Sequence, residues 1–280
     1  MPFLELFDET LDINSTENYD LSIQVSPDGL SFCILDAIRN KFVLIRSFGA
    51  EDNKSFTANK IEELLHHDDF LTKKYRKVHC IMPSSKFTLV PSPLYDPGKK
   101  DEYFIFNHIL DDGNVILSDR IINPEAFLVY SVSKSINELL KSSYPEAHLH
   151  HHIKLLLDHT SSGRKNLNGN YIHVHVERDF FNLIIYSNNI LRFCNSFAYR
   201  NISDILYYVL NTFRILDIKQ EETIYFSGLT EKYDDLSSSI SLYVRNIKFA
   251  EPSGNFTFSY VFNDMELHRF INLFTVLNCE

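Results

Sequence analysis

The segment Leu21-Ser-Ile-Gln-Val-Ser26 alternates apolar and polar side chains, and Ile172-His-Val-His-Val-Glu177 repeats the alternation 151 residues later. A side-chain period of two is typical of a β-strand. The turn signal Pro27-Asp28-Gly29 follows the first segment and Arg178-Asp179 follows the second, and each is followed by a new apolar run. Both segments therefore predict the first strand of a hairpin, and we expect the fold to contain one structural unit twice.

Each copy continues with a third strand, a helix and a fourth strand. The third strands are predicted at Phe42–Phe48 and Ile190–Phe197, and the fourth strands at Lys77–Met82 and Thr223–Ser227. Polar caps precede helically spaced apolar residues between them, namely Thr57 in the first copy and Asn201 with Asp204 in the second. The order strand, strand, strand, helix, strand is thus used twice.

The remaining segments suggest where the copies meet. Phe127–His159 is expected to form a strand, a helix, a short strand and a helix, and the polar run Thr160–Asn170 indicates a linker. We therefore predict two subdomains, residues 1–165 and 166–280. A last helix over Asp264–Asn278, with Asn263 and Glu266 at capping spacing, is expected to pack on the second sheet. The aromatic run Phe256–Phe262 is consistent with a buried strand or an interface.

Composition excludes several classes of protein. Of the 280 residues 44% are apolar and 23% charged, which excludes a mainly disordered chain, and a net charge of −10 argues against nucleic acid or acidic membranes as partners. The N-terminus lacks a secretory pattern, and no apolar stretch approaches the roughly 20 residues of a membrane helix. We expect a cytoplasmic protein without an integral membrane segment. Its four cysteines, at positions 33, 80, 194 and 279, are expected to be reduced thiols.

Two copies of a meander followed by a helix and a strand resemble the actin, sugar-kinase and heat-shock ATPase superfamily. The expected fold class is α/β with mixed sheets, a duplicated actin-like, ribonuclease H-like ATPase fold. Phe127–His159 precedes the second meander as in pilus-assembly proteins of the PilM type. The chain is most similar to the bacterial domain-of-unknown-function 3822 family, whose members are described as actin-like and have no assigned activity. The resemblance therefore implies an architecture and no reaction.

The resemblance also implies where a nucleotide would bind. ATPases of this superfamily carry Asp-x-Gly in the first hairpin of each half, where the carboxylate holds hydrated magnesium, and a strand ending in Gly-Gly near the adenosine. The corresponding residues here are Gln24 and Ser26 in the first hairpin and His175 and Glu177 in the second. Asp28 and Asp179 remain in the turns, and Gly228 is followed by leucine. These seven residues are the candidate sites of a degenerate nucleotide cleft, and we expect no bound cofactor.

Histidines are the other candidates for chemistry, because His148, His150, His151 and His152 crowd one segment and His173 and His175 follow on a predicted strand. Three imidazoles and a water could form a zinc site. Alternate residues of a strand lie about 7 Å apart, which is wide for ligands of one ion. No nucleophile elbow, P-loop or Gly-x-Gly is present, so we assign no catalytic residue and no metal ligand.

Three hypotheses follow. The first is a non-catalytic binding or scaffolding protein that acts through a protein partner or a homo-oligomer, with any small-molecule ligand unknown. The second is a nucleotide-binding switch, or a weak ATPase with an altered phosphate site, that uses Asp28, Asp179 and Gly228. The third is a metal-dependent enzyme built on the histidines from His148 to His175. Glu177 and Leu229 argue against the second hypothesis, since the charge of Glu177 would repel a triphosphate and Leu229 replaces the second glycine. Strand spacing argues against the third.

Overall fold

Fifteen strands and seven helices form in the computed structural model, which describes residues 1–49, 56–163, 169–232 and 234–278. The strands are β1 Leu4–Phe7, β2 Tyr19–Ser26, β3 Gly29–Asp36, β4 Lys41–Gly49, β5 Lys77–Met82, β6 Phe87–Pro91, β7 Asn114–Ile121, β8 Ala126–Ser133, β9 His148–His151, β10 Asn170–Val176, β11 Phe180–Ser187, β12 Ile190–Ala198, β13 Thr223–Gly228, β14 Asn246–Phe249 and β15 Thr257–Phe258. The helices are α1 Ala58–His67, α2 Lys100–Asn107, α3 Lys134–Ser143, α4 His152–Gly163, α5 Ile202–Leu216, α6 Asp235–Ile240 and α7 Ile271–Thr275.

The strands form three sheets. The first has the order β1-β4-β3-β2-β5-β9, with β15 paired to β4, and the second has the order β12-β11-β10-β13-β14. In both, a three-stranded antiparallel meander is joined after a helix by a parallel central strand, β5 or β13. The predicted order of elements in the two copies is therefore confirmed. The third sheet, β6-β8-β7, is covered by α2 and is an insertion in the first copy that the sequence patterns predicted only in part.

The two copies share a backbone irregularity as well as an element order. The register between β3 and β4 shifts after Ile34 and leaves Val43 as an extra residue. The register between β11 and β12 shifts after Ile185 and leaves Arg192 as an extra residue. Val43 and Arg192 are 149 residues apart, the offset that also relates the strand ends Ser47 and Ser196. A bulge kept at the same place of the same strand supports the interpretation of an internal duplication.

Two compact units divide the chain. The first comprises Met1–Leu155, Gly254–Met265 and the residues from Asn272 onward, and the second comprises Leu156–Ser253 and Glu266–Ile271. The chain passes from one unit to the other within α4, and its C-terminal segment contributes to both. The division into domains 1–165 and 166–280 stays a prediction.

Local signals explain where helices α1 and α5 begin. Asn201 and Asp204 form the predicted capping box at the start of α5, and the Thr57 side chain accepts a hydrogen bond from the Lys60 backbone at the start of α1. The apolar face of α5 packs on the sheet through Ile205, Val209 and Phe213, which are all buried. Burial of this face and capping of the first turn together account for the helix.

The C-terminal segment differs from the predicted helix over Asp264–Asn278. It consists of a 3-10 turn at Leu267–Phe270, α7 and a second 3-10 turn, and no side chain caps it at Glu266. Residues Glu266–Ile271 belong to the second unit, but Phe274 contacts Phe42 and Phe258 in the first unit, with ring centroids 4.9 and 5.0 Å away. The expected packing on the second sheet is therefore wrong for the last turn, because amphipathic spacing shows that a face is buried but not against which sheet.

The aromatic run Phe256–Phe262 also differs from the predicted strand. Only Thr257 and Phe258 pair, in parallel with Lys41 and Phe42 of β4, and the chain then turns into a 3-10 helix. Rings from this run and from Phe274 surround Phe42, which is fully buried. Aromatic contacts rather than strand pairing therefore hold this segment in place.

We expect Phe274→Ala to lower the free energy of unfolding by about 3–5 kcal/mol, because it leaves a cavity beside Phe42. Tyr260→Ala removes an aromatic ring from the same part of the chain at a position that is 62% exposed, and it should change stability by no more than about 0.5 kcal/mol. Urea denaturation of both variants measures the difference. Equal effects would contradict the assignment of the C-terminal aromatic residues to the first core.

Candidate functional site: the two hairpin ends

The first hairpin carries neutral polar groups at the positions where the resemblance places an acid and a glycine. The Gln24 side-chain oxygen accepts a hydrogen bond from Asn272 Nδ2 at 3.1 Å, and Ser26 Oγ lies 3.4 Å from the Gly29 carbonyl oxygen. Asp28 lies half-buried in the turn that follows. A carboxylate is the ligand that hydrated magnesium prefers, so an amide already engaged by Asn272 is a poor substitute.

The second hairpin carries a continuous chain of buried side chains. Glu177 Oε1 lies 3.0 Å from His175 Nε2, and His175 Nδ1 lies 2.7 Å from Ser227 Oγ. The same hydroxyl oxygen lies 2.7 Å from His173 Nε2. Strand pairing explains the arrangement: His175 is the register partner of Ser227. His173 lies two residues before His175 on the same face of β10, and Glu177 lies two residues after it, just beyond the end of the strand.

A single direction of hydrogen bonding accommodates these contacts. A carboxylate accepts hydrogen bonds, so His175 Nε2 donates to Glu177, and His175 Nδ1 then accepts from the Ser227 hydroxyl. Ser227 Oγ then accepts from His173 Nε2. This leaves His173 Nδ1 as an acceptor, and that atom has no hydrogen-bond partner among the described residues. The chain runs from His173 through Ser227 and His175 to Glu177.

Burial keeps the far end of this chain neutral. His173 is fully buried, and its pKa lies well below the usual value because burial, and then the nearby His159 and His175, disfavour a second proton. Burial likewise lowers the pKa of His159 to about 4. The His159 Nδ1 atom lies 3.2 Å from Ser253 Oγ, so this ring is also hydrogen-bonded.

The arrangement contains a serine, a histidine and an acid, yet it does not form an accessible nucleophile. Ser227 is fully buried and its proton is directed to His175, while its oxygen accepts from His173. A nucleophilic serine must reach a substrate carbonyl, which requires an exposed oxygen. These side chains therefore hydrogen-bond one another inside the second sheet, which lowers the cost of burying polar groups there.

Gly228 has a structural reason to be glycine. Its φ angle is +82°, and a β-carbon at this position would lie 2.1 Å from the Val176 carbonyl oxygen. The next residue, Leu229, donates its backbone N–H to the same oxygen at 2.7 Å. The end of β13 thus lies directly against the end of β10, where no side chain fits. A bulky residue at position 228 would therefore disturb the end of β13 itself.

The candidate residues divide between the two units. Gln24, Ser26 and Asp28 belong to the first, and His175, Glu177 and Gly228 belong to the second. Asp179 is exposed in the turn of the second hairpin, where its carbonyl accepts a hydrogen bond from the Tyr199 backbone. The binding of a nucleotide by these residues stays a prediction.

The histidines between β9 and β10 also divide into separate sets. In the first unit His79 Nδ1 lies 3.1 Å from His150 Nε2, and burial lowers the pKa values of His150 and His151 to about 3. The short strand was expected over His148–His152, but β9 ends at His151 and His152 starts α4. Within the described ranges no group of three or more histidine, cysteine, aspartate or glutamate side chains is arranged to hold a metal ion.

Sequence reasoning missed Ser227 and Asn272. Ser227 is a polar residue inside an apolar strand, next to a glycine, and that contrast is a usable signal. Its partners are more than 50 residues away along the chain and become evident only from the register of β10 and β13. Asn272 carries no such signal, because it lies on a helix that was expected to pack elsewhere. Cys279 falls outside the described residues, and Cys33, Cys80 and Cys194 are free thiols.

The architecture is that of actin-like ATPases, as the repeat predicted. The chain belongs to the family described as "Protein of unknown function (DUF3822)", which its sequence matches over residues 8–247. A Bacteroides thetaiotaomicron protein with an actin-like ATPase fold and unknown function is similar in structure, with a TM-score of 0.82 and 21% identity, and the match covers 97% of this chain and all of that chain.

A PilM–PilN type IV pilus biogenesis complex is also similar in structure, with a TM-score of 0.60 and 10% identity, over 92% of this chain and 98% of that chain. At these identities the similarities show the fold alone. No curated protein matches the sequence significantly. In the part of the chain that the structure describes, no helix is long and apolar enough to cross a membrane.

We expect Gly228→Ala to lower the free energy of unfolding by more than about 2 kcal/mol, because left-handed backbone strain adds to the clash with Val176. Gly113→Ala is the matched control, since Gly113 has a φ of +80° and nothing lies within 4 Å of its β-carbon position. The free energy of unfolding of Gly113→Ala should fall by about 1–2 kcal/mol, from backbone strain alone. Urea denaturation of both variants gives the comparison, and equal losses would show that β13 does not need the close approach.

Stability should fall as the pH falls from about 6.5 toward 4, because unfolded histidines titrate near 6.5 whereas His150, His151, His159 and His173 have lowered pKa values in the fold. The unfolded state takes up these protons first, so each of these histidines lowers the free energy of unfolding by up to about 1.4 kcal/mol per pH unit in that window. Denaturation at several pH values should show a slope smaller by about one proton in His159→Asn. The exposed His67→Asn is the control, and identical slopes would contradict the argument.

Proposed function

We propose that the protein is a non-catalytic binding protein that contacts a protein partner through the apolar segment Ile105–Leu110. Four of its six residues, Ile105, Phe106, Ile109 and Leu110, are exposed apolar side chains, and Phe106 is 87% exposed. Contiguous exposed apolar residues are typical of interaction sites, because leaving them in water is unfavourable. This apolar segment is the observation that carries the proposal.

The fold holds the apolar segment in a defined position. Phe104 is fully buried against Val90, Ile116 and Val129, so α2 is anchored to the inserted sheet. At its end, His108 Nε2 lies 2.8 Å from the Phe87 carbonyl oxygen. Since α2 is fixed on its inner side, Ile105 and Phe106 are presented outward without a large loss of entropy on binding.

The surrounding charges favour a partner of particular chemistry. Asp101, Glu102 and Asp112 are exposed and form no ion pair within the described ranges, whereas Asp111 is paired with Lys86 at 2.7 Å. An apolar contact rimmed by carboxylates is complementary to an apolar partner surface flanked by lysine or arginine. The PilM neighbour occurs in a complex with PilN, which supports binding of another protein as a use for this fold.

The hairpin ends support the non-catalytic part of the proposal. Gln24 is engaged by Asn272, and Glu177 is buried and engaged by His175. Neither offers the free carboxylate that would hold hydrated magnesium beside a triphosphate. The competing hypothesis is a nucleotide switch, and it is separable by a direct measurement. Calorimetry with ATP and magnesium should show no binding at millimolar concentrations, and saturable micromolar binding would favour the switch.

We expect a photo-crosslinking amino acid at position 106 to capture a protein in the native host cell. The same amino acid at the exposed position of Glu62 should not capture that protein. The captured protein is then purified, and Phe106→Asp should weaken its affinity at least tenfold, since removal of a central aromatic contact typically costs about 2 kcal/mol or more. Tyr260→Asp is the control, because Tyr260 is an exposed aromatic residue elsewhere on the surface.

Unchanged affinity in Phe106→Asp would contradict the proposed interface. Light scattering of the purified chain separates the remaining alternative. A dimer that Phe106→Asp converts to a monomer would assign the segment to contacts between copies of the chain instead of to another protein.

A further inference from the structure

The outer edge of β4 in the first sheet is closed by two short segments of the chain itself. Strand β1 pairs antiparallel with residues from Leu44 to Ser47, and β15 pairs in parallel with Lys41 and Phe42. Backbone contacts extend the pairing: Phe3 N–H donates to the Ser47 carbonyl at 3.0 Å, and Asp8 N–H donates to the Val43 carbonyl at 2.7 Å. The outward carbonyl groups of the bulge residue Val43 and of Ser47 therefore each accept a hydrogen bond from the covering segment.

The equivalent strand of the second copy, β12, has the same length and the same bulge position, and no described segment of the chain covers its outer edge. It is the end strand of its sheet in the described part of the chain, where β11 is its one partner. Ser196 is the counterpart of Ser47, and its backbone N–H donates to its neighbour Asn195 Oδ1 at 2.9 Å. This backbone group therefore points away from β11. Since N–H and C=O of one residue in an antiparallel strand point to the same side, the Ser196 carbonyl also faces outward.

The side chains of β12 do little to protect this edge. Natural edge strands are usually blunted by charged residues or proline, yet β12 has nine residues, no proline and Arg192 as its single charge. Phe193 and Phe197 are partly exposed beside it, and Tyr207 of α5 is 64% exposed. An added strand would cover apolar surface as well as satisfy backbone groups.

The charged residues along β4 and β12 indicate which kind of segment would bind at the edge of β12. In the first sheet Glu5 of β1 forms an ion pair with Arg46 of β4 at 2.7 Å, and Asp8 just beyond β1 forms one with Lys41 at 2.7 Å. In the second sheet Arg192 is exposed and forms no ion pair within the described residues. An extended segment with a carboxylate at the Arg192 end would supply that pairing.

We propose that β12 is a docking edge for an extended segment of a partner protein, which adds antiparallel to it as β1 adds to β4. The segment would carry alternating apolar residues, as Leu4-Glu-Leu-Phe7 does, and an acidic residue near Arg192. Main-chain hydrogen bonds to residues such as Ser196 would supply affinity and the Phe193 and Phe197 side chains would supply selectivity. This surface is distinct from the apolar segment Ile105–Leu110; the inference shares with the proposed function only the need for a protein partner.

The test uses the full chain and a synthetic peptide of its own residues 1–12, which contains the strand that closes the matching edge. Titration of the peptide to millimolar concentration should protect the amides of residues 190–198 from hydrogen exchange. Ser196→Pro removes the outward N–H and should reduce peptide affinity at least tenfold, whereas Ser196→Ala keeps the N–H and should bind as the unmodified chain does. Circular dichroism checks that each variant is folded.

Arg192→Glu gives a second arm that leaves the strand backbone intact, and it should weaken binding of this acidic peptide at least fivefold. Absence of protection at β12, or equal affinity of the unmodified chain, Ser196→Pro and Arg192→Glu, would overturn the proposal. Changes in exchange at β4 would show that the peptide replaces β1 and would also overturn it. Protection of β12 that rises with protein concentration without peptide would assign the edge to a second copy. None of these outcomes depends on Phe106, so the proposed function is judged separately.

Discussion

The backbone contact between the ends of β10 and β13 determines the arrangement of the second hairpin. Gly228 lies against the Val176 carbonyl, and Leu229 N–H donates to the same oxygen. With this end fixed, the parallel register places Ser227 beside His175. A side chain at position 228 would move β13 outward and would separate the Ser227 hydroxyl from both imidazoles. The hydrogen bonds between Ser227 and the two histidines therefore depend on position 228, where no side chain fits.

Buried imidazole nitrogens are costly when they lack a hydrogen bond, and the direction of the hydrogen bonds pairs His173 Nε2 and both ring nitrogens of His175. Glu177 is the terminal acceptor, and Ser227 transmits the direction because a hydroxyl can donate and accept at once. The open end is His173 Nδ1, for which the described residues provide no donor. A chain with one open end is stable only while the ring stays neutral, which connects the low pKa of His173 to the integrity of the second sheet.

The sequence predicted what depends on local periodicity and capping, and missed what depends on contacts between distant segments. Alternation from Leu21 to Ser26 and from Ile172 to Glu177 was sufficient to predict the hairpins and, through them, the duplicated fold. The four residues of β1 are too few to show a period, so the strand that closes β4 was missed. The destination of Phe274 could not be predicted either, because both sheets offer an apolar surface to an amphipathic segment.

The candidate site was predictable in composition and not in arrangement. The resemblance predicted Gln24 and Glu177 as departures from a phosphate site, and this stays a prediction. Local sequence could not reveal that Asn272 and His175 engage these two side chains. Clustered histidines in the sequence suggested one set of ligands. The structure places His150 with His79 and His175 with Ser227, because strand pairing with different neighbours separates residues that are close along the chain.

The two copies of the unit have diverged at different places, and this bears on how the fold is used. The first copy closes the edge of β4 with β1 and β15, while the second leaves β12 as an end strand. The second copy in turn fills its hairpin end with the buried Glu177 chain, where the first has only Gln24 and Ser26. Both copies keep the bulge and the parallel central strand, whereas their hairpin ends carry different side chains with different hydrogen-bond partners.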